Sequence, residues 1–503
     1  MTTTDNNQNI NNLEKLFKIV LDFNGTNDRA ALLSLILTNL MELTHSDAGT
    51  IYTISEGKLH FRIVHNISLG ILHTFSQGES DLPPIALSEN NIQNVSAYAA
   101  INNKAVFIDD LNEALPFNMS GTKAYDKLIG YNTEAMAVFP ICAQQGHTEH
   151  VLGVLQLINP TDPATGKIGS YNQLKNKPTI VALTKIAANT LANLTHVSDL
   201  QMSLKSFAAT MTQAIDERSH YNSSHTQNVA QYCEYFARHL GETFSIGHKF
   251  HFDNYHVEAI TLAALLHDIG KIITPLEIMD KANRLGDRLE GVRYKFGYKK
   301  LQLELDFANG NITKTELTDA LTNLENIRRW VEDINAADFL TEDQFIQAAA
   351  LEQLTYITIE GTEAPLLDAY EKEALSIRRG TLTMAERKTI EAHVDVTTRL
   401  LGRIPFRSYY ANIPTWATCH HEFLDGSGYP LGLKGDAIPL ESCIITIMDI
   451  FDALIDTNRP YKKGVPIEEA LDTLREMAAE GKLHRELVGL FIHSQIWDKV
   501  QRL

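Results

Sequence analysis

The apolar run Ala263-Ala264-Leu265-Leu266 ends on His267-Asp268-Ile269-Gly270-Lys271. No other feature constrains the fold as much, because an imidazole and a carboxylate sit together at the end of a helix that otherwise reads as buried. The meaning of that pair depends on a second stretch far downstream. His420-His421-Glu422-Phe423-Leu424-Asp425-Gly426-Ser427-Gly428-Tyr429-Pro430 sets two adjacent histidines ahead of a loop with two glycines and a proline. The glycines permit unusual backbone angles and Pro430 forces Tyr429 extended, so the loop is shaped rather than floppy.

A chain of 503 residues is longer than one core normally supports, so two or more domains are expected. The polar start Met1-Thr2-Thr3-Thr4-Asp5-Asn6-Asn7 lacks the basic and then apolar pattern of an export signal. No apolar run reaches the length of a membrane span, and the expectation is a cytoplasmic protein. Four cysteines, Cys142, Cys233, Cys419 and Cys443, lack paired metal spacing and suit reduced thiols. Cys419 lies beside His420 but has no second cysteine near it, and is read as a buried structural thiol. The formal charge of −18 argues against a nucleic-acid polymer as partner. A small phosphate ligand stays compatible with it, since bound metal and a few Lys or Arg side chains can meet its charge locally.

Residues 1–12 are rich in Asn and Thr and are expected to be disordered. From 13 to 196, helical spacing in Leu13, Leu16, Phe17, Val20, Leu21 and in Leu32, Leu33, Leu35, Ile36, Leu40 frames strand-like runs. The runs are Ala48–Thr53, Leu59–Val64, Ala137–Ile141 and Val151–Asn159, which predicts an α+β domain with an antiparallel sheet. Ala99–Lys104 with Val106–Asp110, then Ile129–Thr133, then Gly153–Pro160, resemble a GAF domain in order and wording. Some GAF domains that bind cyclic nucleotides carry an Asn-Lys pair followed by a Phe and an acidic pair. Asn103-Lys104, Phe117 and Asp126 answer to that pattern, with Lys127 standing where a second acidic residue is expected. The resemblance implies a small ligand of unknown identity at Asn103, Lys104 and Asp126, or else a GAF domain that only dimerises. Ile180 to Glu217 contains no Gly or Pro and repeats apolar residues at Ile186, Leu191, Leu194, Leu200, Leu204 and Phe207, which predicts a long helix with a connecting stretch at 197–220. It can pair with its copy in a homodimer or serve as a passive spacer.

Phosphodiester hydrolysis needs a strong nucleophile at neutral pH and neutralisation of charge on the phosphoryl oxygens, and two close metals can do both. Such a site takes several neutral imidazoles and a carboxylate able to bridge. Further candidates are His225 in Ser223-Ser224-His225-Thr226, His393 in Ile390-Glu391-Ala392-His393-Val394, and Asp449 within Ile444–Leu454. Taken singly, His225 and His393 would more often be satisfied structural histidines than ligands. Asp449 is stronger, because a carboxylate ending an apolar run is costly unless bonded or coordinated. Asp452 has the rival roles of supporting a ligand or capping.

As a set these motifs resemble an HD-GYP phosphodiesterase, which implies an all-α helical bundle over residues 221–503. By that resemblance His225, His267, Asp268 and Asp449 hold one metal, and Asp268, His393, His420 and His421 hold the other. Histidine and carboxylate ligation with open positions suits iron or manganese at least as well as zinc. Some members hold a third metal through a Glu one turn before the first histidine; Tyr221 stands there, so two metals are expected. Asp268 and Lys271 are the catalytic candidates. Lys271 reaches a phosphate if the helix continues past Asp268, and its apolar neighbours Ile269, Ile272 and Ile273 argue against a plain surface lysine. Arg459-Pro460-Tyr461-Lys462 matches the family's Arg-Pro-Tyr element, making Arg459 and Lys462 substrate contacts, while Tyr461 either stacks on a base or simply packs.

His393 lies 125 residues after Asp268, and about 95 residues near 285–380 look inserted relative to the family. That segment includes Arg288, Arg293, Lys295, Lys299 and Lys300, and reads as a lid, a dimer contact or a neutral surface excursion. The expected activity is hydrolysis of cyclic di-GMP to pGpG and/or GMP by a metal-bridging hydroxide. The alternatives are another nucleotide such as cyclic GMP-AMP, or a GAF-controlled scaffold whose glycine loop engages GGDEF-type cyclases.

Overall fold

The strand-like runs of the first third pair into one antiparallel sheet. In the computed structural model its strands are β1 (Ser46–Ser55), β2 (Lys58–Asn66), β3 (Ile71–Thr74), β4 (Ile85–Ala86), β5 (Val106–Ile108), β6 (Met136–Gln145) and β7 (Thr148–Pro160). The structure describes residues 15–26, 28–75, 80, 82–113, 115–145, 148–163, 165–174, 176–218, 224–337, 339–350, 354–456 and 464–500. The chain divides into two units, Met1–Ser203 and Leu204–Leu503.

In the first unit the strand order is β3-β2-β1-β7-β6-β5, with β4 on β2. Glu56 and Gly57 join β1 to β2 with φ of 50° and 71°, the left-handed pair that a two-residue hairpin with right-handed twist demands. The last strand, β7, then enters between β1 and β6, pairing Ile158 with both Ala48 and Met136. Gly153 makes that entry possible, since a Cβ there would stand 2.1 Å from the Tyr52 carbonyl oxygen. Side chains alternate between two cores. Ile51, Phe139 and Leu155 pack under the helix Arg29–Thr44 with Leu37 and Leu40, while Tyr52, Val138 and Val154 face the helix Val95–Asn102 with Ala99.

The helix Lys177–Asp216 contains the division between the units. It buries Leu191 in the first unit's core and leaves Leu200 and Phe207 exposed. The second unit is a helical bundle. His225–Thr243, Asn254–Leu266, Leu440–Ile455 and Arg485–Ser494 enclose Val229, Phe236, Ala264, Met448, Phe451 and Phe491, with edge-on rings such as Phe451 and Phe491 at 5.1 Å. No helix among the described residues is long and apolar enough to cross a membrane.

Residues 285–380 form a folded module with a core of its own. The helices Arg288–Ala308 and Lys314–Ala336 enclose Val292, Phe296, Leu324 and Val331 with Leu366 and Leu375, and the hairpin β8 (Thr355–Ile357) with β9 (Glu363–Pro365) lies alongside. Its basic residues are largely paired within it: Arg288 with Asp368 at 3.1 Å, Arg293 with Glu332 at 2.9 Å, Lys295 with Glu371 at 2.7 Å. At the base, Lys281 holds Glu386 at 2.7 Å, and the fully buried Arg284 donates to the carbonyls of Ile334 and Ile377 at 2.6 and 3.1 Å. The Ile334 carbonyl also accepts from the Ala337 N–H at 3.3 Å, whereas Arg284 is the donor to the Ile377 carbonyl. Arg284→Met is therefore expected to destabilise the module by about 3 kcal/mol, seen as faster limited proteolysis within 285–380; an unchanged digestion rate would contradict this role.

Candidate metal centre

The polar candidates of the bundle come from five packed segments, around His225, His267-Asp268, His393, His420-His421 and Asp449, and their reactive atoms meet around Asp268. The helix Asn254–Leu266 stops just before His267, and Asp268 begins a short 3₁₀ turn, Ile269–Ile273. Both Asp268 and the imidazole of His267 are buried. His267 Nε2 stands 3.2 Å from Asp268 Oδ2, and His393 Nε2 stands 3.2 Å from Oδ1, with His420 Nε2 4.0 Å from that same oxygen. Asp449, on the helix Leu440–Ile455, lies 3.0 Å from His225 Nε2, 4.0 Å from His267 Nε2 and 3.9 Å from His421 Nδ1.

The backbone aims these rings. His267, His393 and His420 each donate Nδ1–H to the carbonyl three residues earlier, on Ala264, Ile390 and Ala417, all at 2.6 Å. That bond selects the tautomer whose bare Nε2 points inward. His225 is turned the same way but by a side chain, Asp452 Oδ2 at 2.7 Å on Nδ1, so its Nε2 also faces inward and Asp452 orients the ring rather than capping the helix. Three buried imidazole atoms, Nε2 of His267, His393 and His420, and the buried Asp268 Oδ1 have no hydrogen-bond partner among the described residues. Buried polar atoms in native folds are almost always paired. Four such atoms converging, all good donors to a divalent cation, fit a metal and fit little else. Three overlapping groups close to within 4.8 Å: His225, His267 and Asp449; His267, Asp268 and His420; His393, His420 and His421.

The electrostatics agree with this donor set. Burial opposes the charge on Asp268, but His267 and Lys271 outweigh it and hold the carboxyl well below its ordinary range. Burial likewise pushes His420 well down, and His421 down to about 4, so both rings stay neutral, the form that binds metal. At His225 burial is overcome by Asp449 and Asp452, which push it up to about 10, so cation binding on that side is coupled to proton release.

Close packing allows the convergence. A Cβ on Gly270 would stand 1.9 Å from the His393 carbonyl oxygen, and Gly270 N–H donates to Thr397 Oγ1 at 3.0 Å while Thr397 donates to the His267 carbonyl at 3.2 Å. Thr446 donates to the His420 carbonyl at 2.7 Å. In the glycine loop, Glu422 accepts from the N–H groups of Leu431 and Leu433 at 2.7 and 2.9 Å, and the Tyr429 ring rests 4.7 Å from that of His421. Sequence reasoning did not assign these supporting roles to Gly270, Thr397, Thr446 and Glu422, because each depends on a neighbour distant in the chain or across a loop. Asp216, buried at the end of the long helix, was also missed, and nothing in its sequence context marks it.

Lys271 reaches the centre by a different route from the one expected. The helix does not continue past Asp268; the 3₁₀ turn replaces it, and its three residues per turn stack Lys271 over Asp268, with Nζ 2.6 Å from Oδ2. Ile272 and Ile273 are 45% and 58% exposed, so apolar surroundings are not what sets this lysine apart. Arg459, Lys462, Tyr461 and Tyr221 lie outside the described residues.

The GAF ligand expectation also changes. A cavity of about 420 Å³ opens on the first unit's sheet, lined by Tyr52, Phe61, Met119, Tyr125, Asp126 and Gln156 among others. Asp126 reaches it, but its carboxylate is engaged by the N–H and hydroxyl of Thr133, both at 2.9 Å. Asn103 and Lys104 do not line it; Asn103 instead donates to Glu149 at 2.7 Å on the exposed surface. Adjacent in sequence, they fall past the end of the helix Val95–Asn102, where Asn103 turns left-handed and leads away. None of the described residues lining the cavity is Lys, Arg or His.

Comparison with known proteins places both units. Residues 28–172 match the GAF domain, and residues 222–327 and 371–487 match two models of the HD domain. Over 104 residues the chain is 41% identical to the 3'3'-cGAMP-specific phosphodiesterase 3 of Vibrio cholerae, covering 20% of this chain and 22% of that protein. Over 169 residues it is 35% identical to a cyclic di-GMP phosphodiesterase of Thermotoga maritima, covering 33% and 40%. Over 169 residues it is 33% identical to the cyclic di-GMP phosphodiesterase response regulator RpfG of Xanthomonas campestris, covering 32% and 44%. The chain thus spans less than half the length of each of these relatives.

Two substitutions probe the architecture of the centre. Gly270→Ala is expected to force the His393 segment away and to leave the purified protein with under half the wild-type metal by elemental analysis. Asp452→Asn keeps the shape but loses the carboxylate on His225, and is expected to weaken metal affinity by about 10–100-fold in chelator competition.

Proposed function

We propose that this chain, a GAF domain joined to an HD domain, is a metal-dependent phosphodiesterase that opens a cyclic dinucleotide, with cyclic di-GMP converted to pGpG and then GMP. The observation that carries the reading is the convergence on Asp268 of buried imidazole nitrogens that lack a protein partner. In this reading His225, His267 and Asp449 hold one divalent ion, His393, His420 and His421 hold a second, and Asp268 is shared. Mixed imidazole and carboxylate donors favour iron or manganese. When bound, such a pair supplies an acidified water and neutralises phosphoryl charge.

The remaining work falls to side chains. Lys271, its ammonium 2.6 Å from Asp268 and partly open to solvent, is placed to meet a non-bridging phosphate oxygen at the rim of the centre. The loop after His421 sets one wall of the site, where the Tyr429 ring packs against that of His421 at 4.7 Å. Asp452 orients His225 and so acts through it rather than on the substrate.

Asp268→Ala is expected to remove all turnover of cyclic di-GMP together with bound metal, followed by chromatography of linear products. Lys271→Met should keep the metal and lose about 10²–10³ in rate. Full activity in Asp268→Ala would sink the reading. A second substrate is favoured by one finding, the 41% identity to a relative named as specific for 3'3'-cGAMP. Side-by-side turnover of the two dinucleotides separates them.

For the GAF domain the supporting feature is the cavity on its sheet, walled by Tyr52, Phe61 and Tyr125 without a cationic residue. A phosphate would meet no counter-charge there, and the carboxylate of Asp126 would repel it. The regulatory ligand in this reading is an uncharged, partly aromatic molecule. Cyclic GMP and cyclic AMP are accordingly expected to leave the thermal unfolding of the protein unchanged; a saturable upward shift with either would reverse this assignment.

A further inference from the structure

The helix Arg288–Ala308 of the inserted module is apolar on two faces, one buried in the module's core and the other largely exposed, with Tyr298 on it resting edge-on to Tyr356 of the hairpin at 6.1 Å. One stripe, Leu289, Val292, Phe296 and Leu303, faces the module's core. The other runs Gly291, Tyr294, Tyr298, Leu301, Leu305 and Ala308, at alternating steps of three and four residues. That is the spacing of a seam between two helices. Tyr294, Leu301 and Leu305 on it are 74%, 61% and 60% exposed. Beside the seam lies a groove of about 640 Å³, walled on its far side by Tyr356, Thr358 and Ile359 of the hairpin. Gly291 and Gly297 border the seam, and a Cβ added at either would meet nothing within 4 Å, which leaves room for another backbone to approach closely.

We propose that this seam is a two-fold interface in which the helix pairs antiparallel with the same helix of a second copy of the chain. Two features favour a copy over an unrelated partner. The first is charge. Arg293 and Lys295 are already paired with Glu332 and Glu371, and the charges left beside the seam are Lys299 and Lys300 just before Leu301 and Glu304 just after it. An antiparallel copy with its dyad at Leu301 brings Lys299 and Lys300 beside the copy's Glu304, whereas a parallel copy would stack like charges. The second is size. With the dyad at Leu301, the seam pairs Leu301 with itself, the bulky Tyr294 with the small Ala308, and Tyr298 with Leu305. A self-complementary patch of this kind is what an isologous dimer contact requires. The interface belongs to the inserted module and is independent of the chemistry proposed for the metal centre.

The test uses single cysteines in the full-length chain, where the four native thiols are buried. Leu301→Cys replaces an exposed side chain and leaves the module's core alone. On the dyad it lies within disulfide range of its copy, and is expected to form a covalent dimer under mild oxidation at least about tenfold faster than Asn323→Cys on the exposed side of the neighbouring helix. Tyr294→Cys mixed with Ala308→Cys should cross-link to each other, and neither to itself. The readout is local, so dimerisation through any other part of the chain does not imitate it. Leu301→Cys cross-linking no faster than Asn323→Cys overturns the interface. Tyr294→Cys cross-linking to itself overturns the antiparallel arrangement.

Discussion

The carboxylate of Asp268 is buried inside the bundle, and the segments around it bring charge and imidazoles to satisfy it. An ionised carboxylate removed from water has a large desolvation cost unless charge is brought to it. Here it draws in two histidines at 3.2 Å and the ammonium of Lys271 at 2.6 Å. The histidines cannot serve unless their rings are turned correctly, and the turning is done by main-chain carbonyls of the helices that carry them. The bundle's packing and the geometry of the centre are therefore one problem. Gly270 makes this plain, since the close approach of the 3₁₀ turn to the His393 segment leaves no room for a methyl group.

The first unit shows the opposite economy of polar groups. Its cavity opens on a sheet whose two faces are both packed, and its polar members largely bond to one another, as in Tyr52 to Gln156 at 2.8 Å. Such a pocket selects by shape and apolar contact, with a few hydrogen bonds to fix orientation. The centre and the cavity thus handle charge in contrasting ways, the centre gathering several charged groups and the cavity lined by a single described carboxylate, Asp126, tied to Thr133.

The inserted module is built by ordinary rules. Thr313 with Glu316 and Asp368 with Glu371 form reciprocal capping boxes at helix starts, and an interior of Val292, Phe296 and Val331 closes under them. Its cationic residues are largely neutralised within the module, so it adds little positive field for a phosphate substrate. Its unusual property is the second apolar stripe, which costs nothing in the folding of the module but leaves a surface suited to another helix.

Several elements were legible in the sequence because they depend on near neighbours. The long helix was expected from Ile180 to Glu217 and runs Lys177–Asp216, since an unbroken stretch without Gly or Pro has few alternatives. The main strands were legible from their apolar runs, and the chemistry-bearing histidines from their adjacency to aspartate, glycine and each other. The order of strands was not, because β7 enters between β1 and β6 through pairings with β1 about a hundred residues apart. Nor was the fate of Asn103 and Lys104, whose place in a short motif suggested a ligand contact while one left-handed residue at the helix end carried them onto the surface. The sequence by itself determined which side chains could take part in metal chemistry, because that follows from residue type and local context. Only the tertiary structure decided which of them meet, how each ring is turned and which side chains support them, because distances of 3 to 4 Å between His225, Asp268, His393 and Asp449 arise from helix packing and not from spacing along the chain.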